Sequence, residues 1–175
     1  RIGFPVVLKT ATPGIFHKTD VDGVRLRLGD GAAVEAAYRD IAGRLGPRAI
    51  VAAMALGPSV EMILGIVRDE DFGRTVMIGA GGVHAEILKD VVVAKPPFDA
   101  AKAHRMIDRL RFRRLLDGAR GAPPASIDML AVTLARFSVL AAALGDAIET
   151  MDVNPLLAGP TGALAVDALV VGRRP

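Results

Sequence analysis

The stretch MDVNPLLAGPTGALAVDALVV (residues 151–171) is apolar enough for a protein core, yet Asp152, Asn154 and Asp167 stand among its aliphatic residues. An unpaired carboxylate in apolar surroundings costs several kcal/mol, so such groups come with a partner or a metal. Gly159-Pro160-Thr161-Gly162 reads as a turn, with Pro160 where its fixed φ is welcome. Counting outward from that turn pairs Asn154 with Asp167, their Cβ atoms about 5 Å apart on one face. Asp152 shares that face through the two-residue period of a strand, and a slip of two residues keeps all three together. Oxygen donors without His or Cys suit a hard cation, Mg²⁺ or Mn²⁺, whose remaining shell is filled by water and phosphate oxygens. The same residues also suit a structural role, with Asp152 and Asn154 capping the proline turn and Asp167 paired with an arginine.

Working outward, the chain has 175 residues, 51% hydrophobic and 23% charged, enough for a real core in one domain or two small lobes. Without cysteine, neither disulfides nor thiolate metal chemistry is available, which fits a reducing compartment and a cytoplasmic location. No apolar run is expected to reach the roughly 20 residues that span a bilayer, and RIGFPVVLKT lacks a signal-peptide layout. A start just before an apparent strand, without methionine, reads as a piece of a longer polypeptide. The net charge is only +3. Its basic cluster (Lys102, Arg105, Arg109, Arg111, Arg113, Arg114, Arg120) lies at helical spacing beside Asp99, Asp108 and Asp117, the pattern of a solvated helix face. With a single tyrosine and no tryptophan to stack on bases, nucleic acid is not the expected partner; anionic nucleotides or CoA suit the cluster as well.

Hydrophobic periodicity predicts a strand over Phe4 to Lys9, a Gly/Pro/His loop to about Asp22, a strand over Gly23 to Leu28 and a helix over Ala32 to Leu45 stopped by Gly46-Pro47. Three β-rich segments follow (AIVAAMAL, SVEMILGIVRD, GRTVMIG) and read as an antiparallel meander. A short strand near Asp90 to Ala94, helices near Asp99 to Arg109 and Ile127 to Leu144, and a closing hairpin over Ala147 to Val153 and Ala163 to Val171 complete the chain. The βαβ rhythm of a doubly wound sheet is absent, as are Walker A and strand-linked GxGxxG loops, so the class is α+β. The expected lobes are residues 1–47 and 48–175.

Three further polar residues stand out. Lys9 ends the apolar strand FPVVLK, where its ammonium either meets an anion such as a nucleotide phosphate or snorkels to water. Glu61 in SVEMILG can accept from a ribose hydroxyl, help a metal or pair with Lys9. His17 in PGIFHKTD lies in a loop, accessible as nucleophile, acid–base group or phosphate carrier. The glycines of GAGG (79–82) allow close approach of an anion, and a tight turn explains them equally well.

Taken in order, FPVVLK, HKTDVDGV, VEMILGIVRDEDFG, GAGGVHAEILKD, LLDGARG, and DVNPLL with AVDALVV resemble the ATP-grasp part of ADP-forming (NDP-forming) acyl-CoA synthetases and, more distantly, the β subunit of succinyl-CoA synthetase. The resemblance covers nearly the whole chain. It implies an ATP-grasp fold of two α+β lobes with mostly antiparallel sheets, the first incomplete, with ATP between them. It implies a ligase reaction in which acyl-CoA, ADP and phosphate yield acid, CoA and ATP through a phosphohistidine on a CoA-binding partner domain, absent here, so that the chain alone binds nucleotide without completing the reaction.

On that resemblance Lys9 contacts the nucleotide phosphates, Asn154 and Asp167 hold Mg²⁺, and His17 receives the phosphoryl group from the partner domain. Asp152 steadies the phosphohistidine and Glu61 lies near the ribose and triphosphate. The segment Ala52 to Leu56 matches the adenine-reading link, making Ala52, Ala53, Met54 and Leu56 nucleotide contacts through largely backbone groups. Departures from the family pattern are Ala52 and Ala53 in place of polar residues, Asp22 in place of glycine, and Arg74 in place of the proline of FGP. A competing reading is a regulatory or degenerate nucleotide sensor fused to another domain such as an acetyltransferase.

Overall fold

In a computed structural model that describes residues 2–82, 90–118 and 121–173, the first unit, Arg1–Leu56, is built on strand β1 (Val6–Thr10). β1 is the centre of a three-stranded antiparallel sheet, flanked by β2 (Val24–Leu28) and β3 (Ala49–Ala53). Val6, Leu8 and Thr10 are all but fully buried, and Lys9 alternates with them onto the other face. Helix α1 (Gly31–Leu45) buries Ala37 and Ile41. Asp30 caps its N-terminus by accepting from Ala33 N at 2.8 Å. At the other end Thr12 Oγ1 donates to the Leu45 carbonyl at 2.5 Å, satisfying a carbonyl that the helix leaves open.

The second unit, Gly57–Pro175, is a larger antiparallel sheet carrying helices on one face. Its strands are β4 (Val60–Asp69), β5 (Gly73–Ala80), β6 (Val91–Ala94), β7 (Ile148–Gly159) and β8 (Gly162–Ala165), in the order β6-β5-β4-β7-β8, with β9 (Ala168–Gly172) also pairing β7. Met62, Leu64, Ile66, Val76, Ile78, Val153 and Leu156 project from the sheet into a core closed by α2 (Ala100–Asp108) and α3 (Ile127–Leu144). Burying each such side chain contributes about 1.5–3 kcal/mol. Between the helices Ser138, fully buried, donates to the Phe98 carbonyl and accepts from Phe98 N at 3.0 Å, so no polar atom is stranded there.

The α+β class with antiparallel sheets expected from the sequence is thus the observed one, with corrections. The segment AIVAA does not begin a meander: Val6 pairs Ala53 and Thr10 pairs Ala49, so β3 closes the first sheet and the first unit runs to Leu56, beyond the expected limit at Pro47. The expectation of no long apolar run also fails. Ile127–Ala147 is long and apolar enough, by length and composition, to cross a membrane. Its Leu130, Ala131, Leu134, Phe137, Ser138 and Ala141 are buried in the core of the second unit.

Arg113 of the basic cluster pairs with Asp108 and Asp117, and Lys102 lies over the Phe98 ring at 5.7 Å. Arg120, like the VHAEILK part of GAGGVHAEILKD, lies outside the described residues.

Candidate functional site

The register of the closing hairpin is the one counted from its turn. Gly159 pairs Gly162, Leu156 pairs Ala165, and beyond the gap Val153 pairs Ala168 and Asp152 pairs Leu169. Asn154 N donates to the Asp167 carbonyl at 3.2 Å, and Val166 N donates to the Pro155 carbonyl at 3.2 Å. Asn154 therefore stands opposite Asp167. Buried Val153 points to the core, so Asp152 and Asn154 turn to the opposite face of the sheet. The irregularity between Met62 and Leu64 falls beside this point and lets Leu156 and Ala158 return to the core.

That face, away from the helices, also carries Glu61 and Ile63 and the tightly packed pair Gly65 and Met77. Gly65 lies opposite Asp152 in the ladder, and a Cβ there would approach Met77 Cγ to 2.7 Å. Glu61 is exposed and leans over Gly82, whose φ of +59° is left-handed and where a Cβ would collide with the Glu61 carboxylate. Gly81 N donates to the Glu61 carbonyl at 2.9 Å, and a Cβ on Gly81 would meet the Met62 backbone. Close approach to β4 therefore accounts for the last two glycines of GAGG.

Asp167 Oδ1 accepts from Ala168 N at 3.0 Å. Among the described residues no three or more His, Cys, Asp and Glu side chains gather as a metal cage. The backbone thus sets Asn154, exposed on β7, opposite the half-exposed Asp167 between β8 and β9, an amide and a carboxylate on neighbouring backbone. This donor set fits Mg²⁺, which takes one or two protein ligands and keeps its other positions for water and phosphate oxygens.

In the first unit, Lys9 is half-buried at the end of β1, with Val24 and Ile50 as its ladder neighbours. Ala52 and Ala53 pair with Val7 and Val6, Met54 N donates to the Pro5 carbonyl at 3.1 Å, and Leu56 is 74% exposed. His17 is exposed in the loop between β1 and β2, closed at its base by Thr10 N donating to the Gly23 carbonyl at 2.8 Å. The first unit thus carries Lys9, His17 and the Ala52–Leu56 segment; the second carries Glu61, Asp152, Asn154 and Asp167.

Two departures from the family pattern acquire a physical reason. Asp22 has φ +52°, the left-handed conformation that glycine adopts freely and Asp tolerates. Its carboxylate accepts both Arg25 amino groups, at 2.7 and 2.9 Å, a pairing that holds the Asp22 carboxyl below its ordinary pKa. Arg74, at the start of β5, donates to the Ile148 carbonyl at 3.3 Å and ties the hairpin to β7. The sequence reading passed over Arg25, Asp40 and Arg44 around that loop; only the i,i+4 spacing of Asp40 and Arg44 was there to find them.

The profile described as ATP-grasp domain matches residues 1–171. Acetate–CoA ligase [ADP-forming] I of Archaeoglobus fulgidus is 37% identical over 177 residues, which cover 97% of this chain and 26% of that protein. The β subunit of acetate–CoA ligase [ADP-forming] I of Pyrococcus furiosus is 36% identical over 98% of this chain and 76% of that subunit. Among solved structures, the dinucleotide-forming acetyl-coenzyme A synthetase 1 of Ca. Korarchaeum cryptofilum, in complex with coenzyme A and Mg-AMPPCP and with its phosphohistidine segment pointing towards the nucleotide binding site, superposes with a TM-score of 0.86 at 39% identity, covering 98% of this chain and 78% of that one. The chain thus spans about a quarter of the single-chain ligase and about three quarters of the separate β subunit.

Proposed function

The chain belongs to the ATP-grasp family and is homologous to the nucleotide-binding domains of ADP-forming acyl-CoA synthetases, and from that premise we propose that it exchanges a phosphoryl group between ATP or ADP and a histidine within a larger acid–thiol ligase. The observation that carries this reading is the pairing of Asn154 with Asp167 on the open face of the second sheet.

In the direction of ATP synthesis a CoA-binding partner, in the same polypeptide or a separate subunit, delivers a phosphoryl group to an imidazole nitrogen of His17. The P–N bond then breaks as an oxygen of the ADP β-phosphate bonds to phosphorus, and His17 is left neutral for the next cycle. Lys9 donates to the nucleotide phosphates and lowers the repulsion between the reacting anions. Asp152 suits an acceptor that steadies a phosphohistidine through its second ring nitrogen. Asn154 and Asp167 hold the Mg²⁺, which when bound neutralises polyphosphate charge. Ala52, Ala53, Met54 and Leu56 present main-chain groups to the base, and Glu61 accepts from the ribose. A cytoplasmic location goes with the absence of cysteine.

The test is incubation of the full-length protein with γ-labelled ATP and Mg²⁺. Acid-labile label that disappears in His17→Ala supports phosphoryl exchange. Nucleotide binding with no label in the wild type contradicts it.

A further inference from the structure

Both sides of the His17 loop are fastened to the C-terminal half of α1 or to the short link that follows it. On the incoming side, Thr12 Oγ1 donates to the Leu45 carbonyl and Ala11 N to the Arg48 carbonyl at 2.8 Å. On the outgoing side, Arg44 reaches across from α1 to donate to the carbonyls of Val21 at 3.3 Å and Asp22 at 3.2 Å. The same guanidinium is held from behind by Asp40, through Nε at 3.1 Å and Nη2 at 2.9 Å. Arg25 completes the arrangement. It grips the Asp22 carboxylate with both amino groups, donates to the Asp22 carbonyl at 3.0 Å and shares Asp40 with Arg44 at 2.7 Å.

Two arginines and two carboxylates therefore lock the backbone where Asp22 takes its left-handed turn. From there Gly23 N donates back to the Lys18 carbonyl at 2.8 Å and Asp22 N to the Thr19 carbonyl at 3.0 Å, so the locked residues hold the stretch that directly follows His17. Only a planar fork with several donors spans a carboxylate and two carbonyls at once. A bidentate network of this kind adds some stability where isolated exposed pairs add little, and its bonds from Arg44 to the Val21 and Asp22 carbonyls fall on the loop backbone itself.

We propose that Arg44, backed by Asp40 and the Arg25–Asp22 pair, is a positioning residue that fixes the His17 imidazole for phosphoryl exchange without touching nucleotide or phosphate. The proposal rests on the functional reading of His17 given above. In Arg44→Lys the charge opposite Asp40 survives but the bridge to Val21 and Asp22 does not, so Lys is a poor substitute.

The test compares wild-type, Arg44→Met and Arg44→Lys forms of the full-length protein by single-turnover labelling of His17, nucleotide affinity, thermal melting and hydrogen exchange. Arg44→Met is expected to slow labelling by about 100-fold, the effect of a misplacement near 1 Å. Nucleotide affinity should stay within about twofold, the split that separates positioning from binding. Arg44→Lys should regain less than half of the loss on a logarithmic scale. A wild-type labelling rate in Arg44→Met overturns the proposal, as does a loss matched by an equal loss of nucleotide affinity. Should Arg44→Met fail to fold, Arg25→Met is expected to show the same split, and its absence there overturns the proposal equally. If the wild type takes no label at His17, the functional reading falls, and the clamp is then judged by exchange of the Gly23 amide: roughly tenfold faster in Arg44→Met supports it, and unchanged exchange overturns it.

Discussion

Asn154 on β7 stands opposite Asp167 in the short gap between β8 and β9, the backbone N–H of Asn154 donating to the Asp167 carbonyl at 3.2 Å. Buried Val153 lies between Asp152 and Asn154 in sequence, so the strand that carries polar groups on one face carries core on the other. Asn154 is held in the β7 ladder, and the backbone at Asp167 is fixed opposite it by the bond from Asn154 N and by Val166 N donating to the Pro155 carbonyl at 3.2 Å.

The core of the second unit depends on α3. Leu134 is fully buried among the sheet and helix residues. Leu134→Ala should destabilise the protein by about 2–5 kcal/mol through lost transfer energy and the cavity left behind. Denaturant unfolding should show a lower midpoint at an unchanged slope.

Two glycines should respond in opposite senses to alanine. Gly43 lies inside α1 with open space where a Cβ would stand, so Gly43→Ala should add roughly 0.5–1 kcal/mol of stability. At Gly81 the same change drives a Cβ into the Met62 backbone and should remove about 2 kcal/mol or more. Parallel melting curves decide this; a stabilised Gly81→Ala would contradict the close approach of the GAGG turn to β4.

The clamp around Asp22 has a pH signature. Hydrogen bonds from Arg25 hold the Asp22 carboxyl below its ordinary 3.8, and those from Arg44 do the same for Asp40. A carboxyl with a depressed folded-state pKa contributes its stabilisation above the unfolded value and loses it as pH falls through the folded one. Loop anchoring should therefore be complete at neutral pH and fade only below the ordinary carboxylate range. NMR titration of the two side-chain carboxyls should give midpoints below 3.8, with that of Asp40 rising in Arg44→Met.

The hairpin was legible in the sequence because its determinants are local. Gly159-Pro160-Thr161-Gly162 marks the turn, and counting outward from it gives the register that sets Asn154 opposite Asp167, although the alternation of faces breaks between Asn154 and Leu156. The destination of AIVAA was not, because an apolar run of that length pairs equally well with β1 or β4, and partner choice is settled by tertiary packing. The outward residues of α3, Met129, Val132, Val139 and Leu140, are as apolar as its buried ones, which made its burial unreadable from periodicity. The clamp was hidden for a different reason: Arg25 and Asp40 are 15 residues apart and meet only once β2 and α1 are folded. Asp22, noted from the sequence only as a departure from glycine, and the i,i+4 spacing of Asp40 and Arg44 were its visible traces.

The central claim is that Asn154 and Asp167 hold the divalent ion that grips a nucleotide polyphosphate. Calorimetric titration of the full-length protein with ADP and with ATP, with and without Mg²⁺, tests it in wild type and in Asp167→Ala. The expected result is an Mg²⁺-dependent gain in affinity in the wild type of at least about tenfold, or 1.4 kcal/mol, that vanishes in Asp167→Ala while metal-free binding and the melting curve stay as they were. An unchanged Mg²⁺-dependent gain in the variant would contradict the claim.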